Sequence, residues 1–215
     1  MRGLPLRALG RSLLLKTSAA SRLRGTSGGL LSSTLSRLSR TLHRLRRALA
    51  LRERLYGQPF YRLVHAEADG LPGTIIDRFG DAAVIQPNAA WAEHMIADIA
   101  DALREVTGVS TVVLNGQGRA RALEGLDERT EILSGALSGP VEVPMNGAIY
   151  LADLAHGQKT GLFYDQRPNH AFGQRLAQGA RVLDVFSHVG GFGLAALAAG
   201  ADRLELCADL IIGGT

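Results

Sequence analysis

RVLDVFSHVGGFGLAALAAGADRLELC, residues 181–207, decides how the chain must fold. Arg181–Phe186 is an apolar, β-branched run of strand length, and Gly190, Gly191 and Gly193 follow it. Leu194–Ala199 is a run of small helix formers, after which Leu204–Cys207 returns to strand character. Strand, glycine loop, helix, strand is the opening βαβ unit of a doubly wound parallel sheet, so the fold class is α/β. A single crossover cannot bury both faces of such a sheet, and the spacing predicts only the first part of the domain here.

Upstream the pattern is different. Tyr61–His65, Gly73–Asp77 and Ala82–Gln86 are extended runs separated by the turn residues Asp69-Gly70-Leu71-Pro72-Gly73 and Phe79-Gly80-Asp81, which predicts an antiparallel meander. Ala90–Val106 places Trp91, Met95, Ile96, Ile99 and Leu103 on one helical face with Glu93, Asp98 and Asp101 outward, so a helix covers that sheet. Thr111–Leu114 and Glu131–Leu133 read as further strands, and Val141–Val143 with Ala148–Leu151 as a hairpin around Asn146-Gly147. A helix over Ser36–Tyr56, with Leu38, Leu42, Leu45, Leu49 and Leu51 among arginines, is expected to pack on this α+β unit. The resulting organisation is a basic head (1–43), a helix plus small α+β central domain (44–152) and the first part of a Rossmann-like domain (153–215).

Charge divides the chain along the same line. Residues 1–52 hold twelve Lys/Arg and no Asp or Glu, leaving twelve basic residues (24 − 12) against all twenty acids in the remainder. The Arg/Ser/Leu-rich head admits three readings: a mitochondrial-type transit peptide, an arm that binds RNA phosphates, or a poorly ordered extension. A single cysteine, Cys207, excludes an internal disulfide and fits a reducing compartment, and no apolar run is long enough to span a bilayer. A soluble, cytoplasmic protein is expected, with no membrane partner; the oligomeric state is not legible.

In the loop after Arg181–Phe186, glycines let a ligand approach the backbone, and Asp184 can accept hydrogen bonds or offset positive charge. The glycine spacing is not G-x-G-x-x-G, which disfavours a nicotinamide-dependent oxidoreductase. S-adenosylmethionine fits better, because its ammonium, sulfonium and ribose hydroxyls suit carboxylates; Asp209, or less well Glu205, stands near the end of the second strand. A second segment, HGQKTGLFYDQRPNH (156–170), gathers varied polar groups around Leu162, Phe163 and Tyr164 and reads as a ligand-holding stretch.

Together, residues 141–200 closely resemble the bacterial S-adenosylmethionine-dependent methyltransferases that make 5-methylcytosine in large-subunit ribosomal RNA. The resemblance rests on the Gly157-Gln158-Lys159-Thr160-Gly161 stretch, the aromatic pair Phe163-Tyr164, Asp165-Gln166-Arg167 and VLDVFSHVGGFG (182–193), and YRLVHAEADGLPGTIIDRFGD (61–81) extends it to the family's central domain. It implies a cofactor pocket with Lys159, Thr160, Phe163, Asp165, Gln166 and Arg167 on one wall and Asp184, Ser187, Gly190 and Gly191 on the other. It also implies ribosomal RNA as partner.

Departures from the family qualify this. Residues 1–43 lack the alternating strands of the family's RNA-binding PUA domain, and Pro168 and His170 stand where the family more often has a non-proline residue and an Arg. A 5-methylcytosine enzyme adds a cysteine thiolate to the pyrimidine ring, and the family's catalytic Cys and Asp/Pro-rich segment have no counterpart here. Cys207 falls in a strand, where a buried small hydrophobe is the ordinary role, so no catalytic residue is assigned. ADLIIGGT also departs from the family; a premature stop or a shifted frame would account for both ends, and an inactive fragment is expected. The alternative, of a different class, is an RNA-binding module whose methyl-transfer machinery is vestigial. His65, Glu67 and Asp69 read as a solvated strand end rather than a metal cluster, and Gly116–Arg121 as an exposed basic loop.

Overall fold

The computed structural model describes residues 28–157 and 160–207, with side chains from Ser36 onward. Lys159, Asp209, residues 1–27 of the basic head and the ADLIIGGT tail lie outside the described residues. Contacts divide the chain after Ser36, and Arg37 opens the unit that contains every strand described below.

Helix α1 runs from Gly28 to Leu55. Leu38, Leu42, Leu45 and Leu49 follow the 3.6-residue period and enter the core, whereas Leu51 lies across the helix from Leu49 and is exposed. Strands β1 (Phe60–His65), β2 (Thr74–Phe79) and β3 (Ala82–Pro87) form the expected antiparallel meander. The covering helix is broken in two, α2 (Ala90–His94) and α3 (Ile96–Thr107), because Met95 sits between them at φ −104° and ψ 15°. Strand β4 (Thr111–Gly116) then pairs in parallel with β3, and β5 (Arg129–Ser134) in antiparallel with β4, giving the order β1-β2-β3-β4-β5.

Alternation along the strands divides two cores. Ala83, Ile85 and Val112 face α1, α2 and α3 together with Ile99 and Leu103. Ala82, Val84 and Val113 face the other way, onto the hairpin of β6 (Val141–Met145) and β7 (Ala148–Ala152) and onto Leu154, Leu162 and Tyr164. With both faces covered, β3 is buried at all six positions. The hairpin turn holds Asn146 at φ 52° and Gly147 at φ 77°, the two left-handed residues a two-residue turn of this twist requires.

The segment read as a basic loop contains α4 (Arg119–Leu123), and Arg121 is buried rather than exposed. Its guanidinium donates to the carbonyls of Pro87 (2.6 Å) and Asp127 (2.7 Å) and to Glu93 (2.8 Å), so every face of the charge is satisfied. Glu93, placed outward by the periodicity, turns to this arginine and to Arg129 (2.8 Å) instead.

Beyond the hairpin, a 3-10 turn at Tyr164–Gln166 leads into α5 (Arg167–Gln174). Then β8 (Arg181–Val185), α6 (Gly191–Ala198) and β9 (Arg203–Cys207) form the anticipated unit, β8 and β9 pairing in parallel. The fold is thus α/β: a small α+β sheet followed by the first βαβ part of a Rossmann-like sheet. Gly193 admits β9 against α6, since a Cβ there would stand 2.7 Å from Leu206 and 2.9 Å from Leu204. Among the described residues no helix is long and apolar enough to cross a membrane.

Candidate cofactor site

Segment 160–170 divides its side chains between two neighbours. Thr160, Tyr164 and Arg167 turn to the central sheet: the Thr160 hydroxyl donates to buried Asp77 (2.6 Å), the Tyr164 hydroxyl to the Arg78 carbonyl (2.9 Å), and Arg167 to the Phe60 carbonyl (2.6 Å). Asp77 also receives both donors of Arg62, at 2.9 and 3.1 Å. Burial opposes the charge of Arg62, but the hydrogen bonds and negative charge of Asp77, with Asp165 farther off, outweigh it and raise its pKa. Burial, then the charge of Asp77, pushes the Tyr164 phenol well above its ordinary value.

Phe163, Gln166 and His170, at i, i+3 and i+7, turn the other way, toward the loop between β8 and α6. They enclose, with Asp184, Ser187, Gly191 and Phe192, a cleft of about 210 Å3. That is less than the roughly 300–1,000 Å3 of a complete small-molecule site, so the described walls cover part of a ligand rather than enclose one. The rings of Phe163 and His188 meet at 5.0 Å and join the two walls. Gln166 accepts from Asn169 through its amide oxygen (2.9 Å), which leaves its NH2 group as what it can offer a ligand.

The loop itself is strained. Phe186 (φ 59°), His188 (φ 50°) and Gly190 (φ 75°) are left-handed while the residues between them are not. Two non-glycine residues in that region within three positions are uncommon outside functional loops. The backbone is held by Ser187 N–H on the Cys207 carbonyl (3.2 Å) and Gly190 N–H on the Ser187 carbonyl (2.7 Å). Tyr150 of the hairpin fixes the start of α6 by donating to the Gly191 carbonyl at 3.0 Å, and burial followed by the nearby charge of Asp184 raises its pKa.

Asp184, only 7% exposed, closes the wall. Its Oδ2 accepts the Gly193 N–H at 2.9 Å, satisfying one of the unpaired donors in the first turn of α6. Its Oδ1 takes no hydrogen bond, and no cation pairs with it, among the described residues. A buried carboxylate with one oxygen fixed and the other open suits a positively charged or hydroxyl-bearing ligand.

Of the residues singled out from sequence, the structure therefore brings together Phe163, Gln166, Asp184, Ser187 and Gly191, with Gly190 as the left-handed residue that starts α6. Thr160, Asp165 and Arg167 do not line this cleft. Asp165 and Arg167 border a larger one, about 370 Å3, between α1, β1 and the 3-10 turn. The arginines there are already engaged: Arg52 with Asp69 (2.7 Å), Arg62 with Asp77, and Arg167 over the rings of Tyr56 and Tyr164 at 4.9 and 5.5 Å. Burial lowers the pKa of Arg167.

Sequence reading missed His170, Phe186, His188 and Phe192 as lining residues. Continuing the helical period from Phe163 through Gln166 would have found His170. The His170 ring stands edge-on to Phe192 at 4.5 Å and lies against Gly191, and its Nδ1 is buried without a partner. Among the described residues no three His, Cys, Asp or Glu side chains are placed to share a metal ion. Asp69 instead receives Arg52 and the His65 N–H (2.7 Å), and Glu67 the Gly73 N–H (3.0 Å).

Residues 95–213 match the family model described as S-adenosylmethionine-dependent methyltransferase. The chain belongs to that methyltransferase family. Among its curated relatives is ribosomal RNA large subunit methyltransferase I of Aeromonas hydrophila, 40% identical over 146 residues that make up 67% of this chain and 37% of the relative. The protein of the same name from Aeromonas salmonicida is 39% identical over 167 residues, 76% of this chain and 42% of the relative. The chain thus spans about two fifths of the length of the relatives it matches. A solved Streptococcus mutans protein described as an S-adenosylmethionine-dependent methyltransferase superposes with a TM-score of 0.68 at 22% identity, covering 79% of this chain and 44% of that one. A methyltransferase solved with S-adenosylhomocysteine gives 0.67 at 22% identity, again over 79% and 44%. At that identity the likeness is one of methyltransferase fold.

Proposed function

We propose that the chain binds S-adenosylmethionine in the cleft between Phe163–His170 and Asp184–Phe192, and that it is part of an enzyme that methylates large-subunit ribosomal RNA at C5 of a cytosine. The observation that carries the cofactor reading is the open Oδ1 of Asp184, a buried anion facing a cleft in which no cation of the described residues pairs with it. The cofactor supplies an electrophilic methyl group on a sulfonium, and the positive charge of its ammonium and sulfonium is what such a carboxylate stabilises. Asp184 binds and orients, Gln166 offers its amide N–H, and Phe163 and Phe192 exclude water from the apolar part of the ligand. Lys159 and Asp209 are proposed to complete the pocket, and residues 153–215 to be the first part of the methyltransferase domain.

The RNA substrate is supported by the names of the curated relatives, and the cytosine C5 assignment by the resemblance of residues 141–200. Methylation at that carbon needs a thiolate to add to the ring. No cysteine lines the described cleft. We therefore expect this chain by itself to bind the cofactor without transferring the methyl group.

Calorimetric titration with S-adenosylhomocysteine tests the reading without requiring catalysis. Micromolar binding is expected, weakened roughly 10- to 100-fold in Asp184→Asn, which keeps an oxygen for Gly193 but removes the charge. A chain that is folded by circular dichroism and does not bind would overturn it.

A further inference from the structure

We propose that the outward face of α1 is a docking surface for the phosphate backbone of RNA, formed by Arg40, Arg47 and Arg54 with His43 between the first two. The inference rests on the ribosomal RNA reading above and assigns a surface that the cofactor cleft does not include.

The three arginines recur every seven residues. At 1.5 Å per residue they stand about 10 Å apart along the helix and drift by only about 20° per step, so they form a stripe on one side. All three are exposed, and so is His43. The opposite side carries Leu38, Leu42, Leu45 and Leu49, which pack into the core, so the stripe points to solvent for its whole length.

Charge pairing separates the stripe from Arg46 and Arg52 on the same helix. Arg46 pairs with Glu105 at 2.8 Å and Arg52 with Asp69 at 2.7 Å. Among the described residues no carboxylate lies within ion-pair distance of Arg40, Arg47 or Arg54. The one acid between Arg37 and Leu55, Glu53, lies about 100° around the helix from Arg54. Three unneutralised guanidiniums in a line on a rigid helix are complementary to a polyanion, and guanidinium forks match phosphate oxygens.

An anionic membrane would also attract such a stripe, but a helix that lies on a bilayer must bury its apolar face in the acyl boundary. The apolar face of α1 is already committed to the protein core. That observation favours RNA.

The test is a fluorescence-anisotropy titration of the full chain with a labelled RNA hairpin at salt concentrations from roughly 50 to 200 mM. It compares wild type with the triple variant Arg40→Gln, Arg47→Gln, Arg54→Gln, and the rest of the basic residues are unchanged between them. The expected result is salt-dependent binding whose log–log slope is shallower by about 2 to 3 in the variant, with affinity lost equally for hairpins of different sequence. The variant should keep its circular dichroism and its affinity for S-adenosylhomocysteine, because the substitutions are on the surface and outside the cleft. An unchanged slope and affinity would overturn the proposal. So would loss of binding to phosphatidylserine vesicles by the variant while RNA binding stays the same. A chain that binds RNA through the stripe but not S-adenosylhomocysteine would uphold this surface and remove the cofactor reading alone.

Discussion

The Thr160 hydroxyl donates to the Oδ2 of Asp77 across 2.6 Å, joining the cofactor-site segment to strand β2 of the central sheet. Both side chains are buried, and the same carboxylate holds Arg62, so one sheet residue serves as acceptor for its neighbouring strand and for a segment 83 residues farther along the chain.

Thr160→Val keeps the shape and removes a hydrogen bond to a buried charged group. A loss of about 1.5–3 kcal/mol in urea unfolding is expected. Asp77→Ala should cost more, about 3 kcal/mol or above, because it also leaves the Arg62 guanidinium without its partner. Equal and small changes for the two would show that the link contributes nothing.

At Gly191 the constraint is steric. A Cβ there would lie 2.5 Å from His170 Cε1 and 2.6 Å from Nε2. Gly191→Ala is expected to destabilise by about 1–3 kcal/mol and to weaken S-adenosylhomocysteine binding by displacing the wall. Adding His170→Ala should relieve the clash, so a double-mutant cycle measured by urea unfolding should show the two changes to be less than additive. Strict additivity would mean that the ring and the glycine are not in contact.

Stability should also depend on pH through His170. Burial pushes its imidazole below the ordinary value of 6.5, against the opposing pull of Asp184 and Asp165. The folded chain therefore refuses a proton that the unfolded chain accepts. The contribution is whole above about pH 6.5 and is lost as pH falls below it, at up to about 1.4 kcal/mol per pH unit until the folded group itself titrates. Urea midpoints measured at about pH 7.5 and about pH 5.5 should fall further for the wild type than for His170→Phe, which has no proton to gain. The same fall in both would assign the acid sensitivity elsewhere.

Elements whose signal is local were legible in the sequence. Asn146-Gly147 declares its hairpin because few other pairs accept two positive φ values, and the β8–α6–β9 unit declares itself through Gly190, Gly191 and Gly193. What could not be read depends on partners far along the chain. Arg121 looks like loop charge until Glu93 and the carbonyls of Pro87 and Asp127 surround it. Likewise, residues 160–170 carry enough polar chemistry for a ligand wall, but nothing local says that Thr160 and Arg167 turn to the sheet while Gln166 turns to the cleft. That choice is made by Asp77 and the Phe60 carbonyl.

Those anchors have a kinetic consequence. The bonds from Thr160, Tyr164 and Arg167 to the sheet close chain separations of 83, 86 and 107 residues. Contacts at such separations carry their loop-closure entropy before they return any stability, whereas β1, β2 and β3 can pair through short turns. The meander can therefore organise first, and the wall that faces Asp184 takes its final position only once Asp77, Arg78 and Phe60 are in place to receive it.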